Sequence, residues 1–179
     1  MRDLAGISFH RVAGWTGLPY NKQGQYMLAP ELEQAIRALR LPMTRFYAVG
    51  HEPFAADESI DQAAAFCRRI GVPLDHVVLE LEDQSANQKL AADDWARAVK
   101  HSVSKGCEFR HWEVGNEVYS QTFSAKSPMG QAFDTPDDYV AHVKAVSAAV
   151  KAVQPRAQIG LSIALDNLKL PGILSSRQH

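Results

Sequence analysis

Phe109-Arg110-His111-Trp112-Glu113-Val114-Gly115-Asn116-Glu117-Val118-Tyr119 is the stretch on which the reading of the fold turns. Phe109, Trp112 and Val114 favour a strand, Gly115 interrupts the run, and the polar pair Asn116-Glu117 stands where a strand would open into a loop. Upstream, Asp93 or Asp94 opens a helical pattern with Trp95, Ala98, Val99 and Val103 on one face and Gly106 at its end. Downstream, Thr135-Pro136-Asp137-Asp138 reads as a capped helix start, followed by Tyr139, Val143, Val146, Val150 and Val153 on one face. A short apolar strand between two amphipathic helices is the repeating unit of a parallel sheet.

The same alternation continues in both directions. Leu4 to His10 is a first strand, and Val12 to Ala29 a long loop carrying Trp15, Tyr20 and Tyr26. Pro30 suits the first turn of a helix whose face is Leu32, Ala35, Ile36 and Leu39, with Glu31 and Glu33 at its positive end. Met43 to Val49 is a second strand with Arg45 in its middle, a charge that calls for a partner. Ser59 is placed to cap a helix with Ile60, Ala63, Ala64, Cys67 and Ile70 inward, and Gly71 and Pro73 stop it. His76 to Leu81 is strand three and Gln158 to Leu165 strand five. The strands look apolar enough to be covered on both faces, which leaves an open doubly wound sheet or the first part of an eight-stranded barrel. Bulky His10-Arg11 after strand one, where a dinucleotide site needs glycines, argues for the barrel.

Composition narrows the function. The chain has 179 residues, 46% hydrophobic and 22% charged, which is ordinary for one globular domain. A net charge of -1 without a basic run gives no footprint for nucleic acid or an anionic membrane. The 2 cysteines, Cys67 and Cys107, stand apart and read as reduced structural thiols. Residues 1 to 10 lack the apolar core of a secretion signal, so a genuine start at Met1 implies the cytoplasm.

Trp112-Glu113-Val114-Gly115-Asn116-Glu117 resembles the acid/base motif that closes the fourth barrel strand in clan A of the retaining glycoside hydrolases, especially the xylosidase-like and arabinofuranosidase-like families 39 and 51. The resemblance runs from Phe9-His10 through Arg45 and the Asn-Glu pair to Tyr139, Val153-Gln154-Pro155 and strand five. It implies an α/β fold of the parallel (β/α) barrel type, with residues 1–179 as the N-terminal portion of a catalytic domain truncated after about strand five, and no cofactor. It further implies that Glu117 is the proton donor and later the general base, that Asn116 contacts the sugar 2-hydroxyl, and that Arg45 keeps the nucleophile ionised. His10, Trp15 and Tyr119 are candidate substrate contacts, since hydroxyl-bonding and aromatic side chains suit a sugar ring.

Retention needs two carboxyl groups about 5–5.5 Å apart. In the family the second lies on strand seven, and no residue here matches it; Glu80 and Glu82, at the end of strand three, are weak substitutes. A full barrel takes about 250 residues, so the polar tail Ser175 to His179 reads as the end of a fragment. His10, His51 and His111 with Glu52 or Glu113 raise a metal reading, but their spacing fits no helical ligand pair. The expected partner is an oligosaccharide or polysaccharide, with possible self-association through uncovered sheet edges. Two other readings stay open: a non-catalytic carbohydrate-binding remnant, and another barrel enzyme such as a sugar isomerase or lyase with Glu117 as its base.

Overall fold

The computed structural model describes residues 6–9, 18–50, 55–81, 89–116, 118, 133 and 135–162. Along the chain these form β1 (Gly6–Phe9), α1 (Pro30–Leu39), β2 (Met43–Val49), α2 (Ala56–Ile70), β3 (Val77–Leu81), α3 (Ala92–Ser104), β4 (His111–Val114), α4 (Pro136–Val153) and β5 (Gln158–Leu161). All neighbouring strands pair in parallel, in the order β1-β2-β3-β4-β5. A doubly wound sheet reverses its strand order at a switch point. This one does not, so each helical connection steps one strand in the same direction. Crossovers of one hand then put every helix on the same face of the sheet.

That face is the core. Phe9, Phe46, Leu79, Trp112 and Ile159 form one row across the five strands, since each is in register with the next. Phe66 of α2 wedges against the row, its ring 5.3 Å from that of Phe9 and 5.9 Å from that of Phe46. Cys67 is buried beside it, and burial pushes its thiol up to about 12, which keeps it protonated and unreactive at ordinary pH.

Three helix starts explain themselves differently. α4 begins with the expected capping box: the Asp138 N–H donates to the Thr135 hydroxyl and the Thr135 N–H donates to the Asp138 carboxylate. α2 begins at Ala56, so Ser59 is not its cap but a buried residue one turn inside. Asp57 and Glu58 in the first turn complement the helix dipole there instead. α3 begins at Ala92, with Asp93 and Asp94 inside its first turn, and its Val103 is exposed, not inward.

Two further expectations are corrected. Of the α1 stripe only Ile36 is buried; Leu32 and Leu39 are 51% and 60% exposed, because the helix rests on α2 by one edge of its apolar face. The strands are also not apolar on both faces. By strand alternation the side away from the helices carries Arg45, Val78, Glu80, His111, Glu113, Gln158 and Gly160. Among the described residues no helix is long and apolar enough to cross a membrane.

Candidate functional site

The polar face is organised by Arg45. It leaves β2, and its side chain crosses β3 to reach β4, where Nε donates to the Glu113 carboxylate and Nη2 donates to Asn116 Oδ1 at 2.9 Å. A guanidinium suits this because its donors form a rigid fork that can serve two acceptors at once. Arg45 and Glu113 are both largely covered, with side chains 26% and 17% exposed, so solvent screens the pair less than a surface pair.

A prediction follows from that geometry. Arg45→Met should lower stability by about 1–3 kcal/mol, because it strips a charged donor from a mostly covered carboxylate. Combining it with Glu113→Leu should recover part of the loss, since the Glu113 carboxylate is then no longer left without this donor. Urea unfolding of the single and double variants checks this; simple additivity would contradict a direct coupling.

Helix α4 holds β4 in place at both ends. Near the start of the strand, the Trp112 indole N–H donates to Gln154 Oε1 at 3.0 Å and the Gln154 amide donates to the Phe109 carbonyl at 2.7 Å. At its end, the Tyr139 hydroxyl donates to the Val114 carbonyl at 2.6 Å and accepts from the Ser162 N–H at 2.9 Å. One phenol therefore ties together the C-terminal ends of β4 and β5. Burial holds the Tyr139 phenol above its ordinary pKa; the Ser162 bond works against this, and the nearby Glu113 and Glu80 carboxylates add to it. Phe133 covers the tyrosine, with ring centroids 5.1 Å apart, and Val118 is buried in the same small cluster.

Gly115 then turns the chain off the strand with φ 78°, a backbone conformation that side chains disfavour. Asn116 follows directly, at the C-terminal end of β4. Beside it on β5 is Gly160, in register with Glu113; a Cβ there would lie 3.6 Å from the Glu113 Cα, ordinary contact. Position 160 itself therefore sets no side chain against Glu113.

Of the residues singled out from the sequence, Arg45 and Asn116 are brought into contact. Glu117, His10, Trp15 and Tyr119 lie outside the described residues, as do His51, Glu52 and Glu82. Among the described residues the carboxylate that Arg45 meets is Glu113, which the sequence raised only as a metal ligand. Glu80 is fully buried. It is in register with Glu113 on the neighbouring strand. His111 lies on the same face, its Nδ1 buried without a hydrogen-bond partner among the described residues. Among those residues no group of three or more His, Cys, Asp or Glu is placed to hold a metal ion.

Tyr139 was legible as a member of the α4 pattern, and Tyr139 and Gln154 within the family resemblance; nothing local marks them as the residues that fix β4. Comparison of the chain with protein-family models, with curated proteins and with solved structures gave no match.

Proposed function

We propose that this chain is the acid/base part of a retaining glycoside hydrolase barrel of the clan A, family 39-like type. The observation that carries the reading is the Arg45 fork, which gathers Glu113 and Asn116 at the C-terminal edge of a singly wound parallel sheet. Barrel enzymes build their sites at that edge. In this reading Glu117, the residue after Asn116, protonates the departing glycosidic oxygen and later takes a proton from the attacking water. Asn116, its amide oriented by Arg45, contacts the sugar 2-hydroxyl, a bond that strengthens as the oxocarbenium-like transition state forms.

Glu113 takes up part of the Arg45 charge in the absence of sugar. Arg45 serves the second carboxylate once the barrel is complete, as its donors can be shared between carboxylates. That nucleophile is assigned to none of the 179 residues.

The test is completion. The isolated chain should give no more than trace turnover of aryl xylosides, arabinofuranosides or glucosides. Adding the remaining strands of a family 39-like barrel, with their strand-seven glutamate, should produce hydrolysis with the anomeric configuration retained, read by proton NMR of the first-formed sugar. Inversion, or strong activity of the 179-residue chain alone that Glu80→Gln abolishes, would overturn the assignment.

A further inference from the structure

On the helix side of the sheet, α1, the segment before it and the end of α2 enclose a hollow of about 610 Å³, lined by both Arg37 and Arg69. That volume lies within the range of small-molecule sites. One of the two guanidinium groups is fixed in place. Arg69 Nε donates to Glu33 Oε2 at 2.8 Å, and the guanidinium carbon stands 4.1 Å over the centre of the Tyr26 ring. The Tyr26 hydroxyl donates to the same Glu33 oxygen at 2.6 Å, so phenol, carboxylate and guanidinium hold one another.

The protonation states keep this arrangement. Burial, and then the bond to Glu33, push the Tyr26 phenol up to about 12, so it retains the proton it donates. The bonds from Tyr26 and Arg69 hold the Glu33 carboxyl below its ordinary pKa, so it stays ionised. Glu33 takes only the Nε of Arg69, and no hydrogen bond or ion pair among the described residues engages the Nη donors. Arg37, one turn beyond Glu33 on α1, makes no side-chain hydrogen bond or ion pair among those residues either. The hollow therefore holds two cations, and its one carboxylate is already taken.

We propose that this hollow binds an oxyanion, a carboxylate or a phosphoryl group, between the Arg69 Nη donors and Arg37, independently of any chemistry at the polar face of the sheet. A guanidinium presents paired donors that match the oxygens of either group. Arg69 is already ordered by Glu33 and Tyr26, so it has little freedom left to lose on binding. Gln34, between Glu33 and Arg37 on α1, adds an amide at the rim, and Leu28 and Pro30 give an apolar wall for the body of the ligand.

The experiment titrates the isotopically labelled 179-residue chain with inorganic phosphate and, separately, with benzoate at constant ionic strength. The Arg69 Nε–H and the Gln34 side-chain amide are followed by NMR. Both signals should shift saturably, with a dissociation constant of about 1 mM for the better probe, as two charge-assisted hydrogen bonds supply. Tighter phosphate assigns a phosphoryl ligand; tighter benzoate assigns a carboxylate whose apolar body lies on Leu28 and Pro30.

Arg37→Gln and Arg69→Lys should each weaken the better probe about tenfold, the lysine because it keeps the charge and loses the fork. Arg156→Gln, in the turn between α4 and β5, should leave the affinity unchanged. All three side chains are exposed, so none of these changes should impair folding. No saturable shift with either probe would overturn the proposal, as would an affinity unaltered by Arg37→Gln or by Arg69→Lys. An equal loss in Arg156→Gln would overturn it too, because the probe would then be answering to overall charge.

Discussion

Phe66→Ala is expected to lower the free energy of unfolding by about 3–5 kcal/mol, a large share of what a domain of this size possesses. Phe66 is fully buried, and its ring touches two strands and the segment before α1 at once. It meets Phe9 of β1 edge-on at 5.3 Å, Phe46 of β2 at 5.9 Å, and Tyr26 before α1 at 6.3 Å. Deleting it removes the apolar area it covers and leaves a cavity that two strands and a helix cannot close by moving one side chain.

The expected loss is about two to four powers of ten in the folding constant. Leu39→Ala, by contrast, acts on a side chain that is 60% exposed and should cost no more than about 0.5 kcal/mol in the monomer. Denaturant unfolding at low protein concentration checks both. A loss below about 1 kcal/mol for Phe66→Ala would mean that α2 is not the wedge holding β1 and β2.

The contrast between those two positions shows what the sequence could reveal. Periodicity identified α1 as amphipathic and α2 as amphipathic with equal clarity, because both repeat apolar residues at helical spacing. Periodicity does not say what covers a stripe. Phe66 is fully buried yet stands outside the predicted α2 stripe, whereas Leu32 and Leu39 belong to the α1 stripe and face solvent.

The parallel alternation was legible for the same local reasons, whereas the strand order was not. Which strand lies beside which depends on long-range pairing, and only the unreversed order separates this sheet from a doubly wound one.

The site divides in the same way. Arg45 announced itself as a charge within an apolar strand, and Asn116 through its motif. The partner of Arg45 did not, because Glu113 is 68 residues away in sequence. Glu80 read only as a weak substitute for the second carboxylate, and in-register pairing places it beside Glu113 on the face away from the helices, where it is fully buried. Tyr139 read as one more apolar-face residue of α4, although its hydroxyl is what joins the ends of β4 and β5. Hydrogen bonds between distant segments leave no periodic trace.

Glu117→Gln has the largest effect expected on catalysis. In the barrel enzyme proposed above, a glutamine retains the shape and the amide can still donate a hydrogen bond, but it cannot hand a proton to a departing alkoxide. General acid catalysis of this kind contributes about 10²–10⁴-fold. A sugar or alkyl leaving group, poor as an anion, should lose all of that, whereas a nitrophenolate leaves without protonation and should lose little in the step that forms the glycosyl-enzyme. The deciding measurement is therefore leaving-group release in the first turnover, for Glu117→Gln and parent, on one alkyl and one nitrophenyl glycoside of the same sugar. A loss of about 10²–10⁴-fold on the alkyl glycoside with little change on the nitrophenyl glycoside is the predicted result; equal losses on the two would contradict the role of Glu117 as the acid.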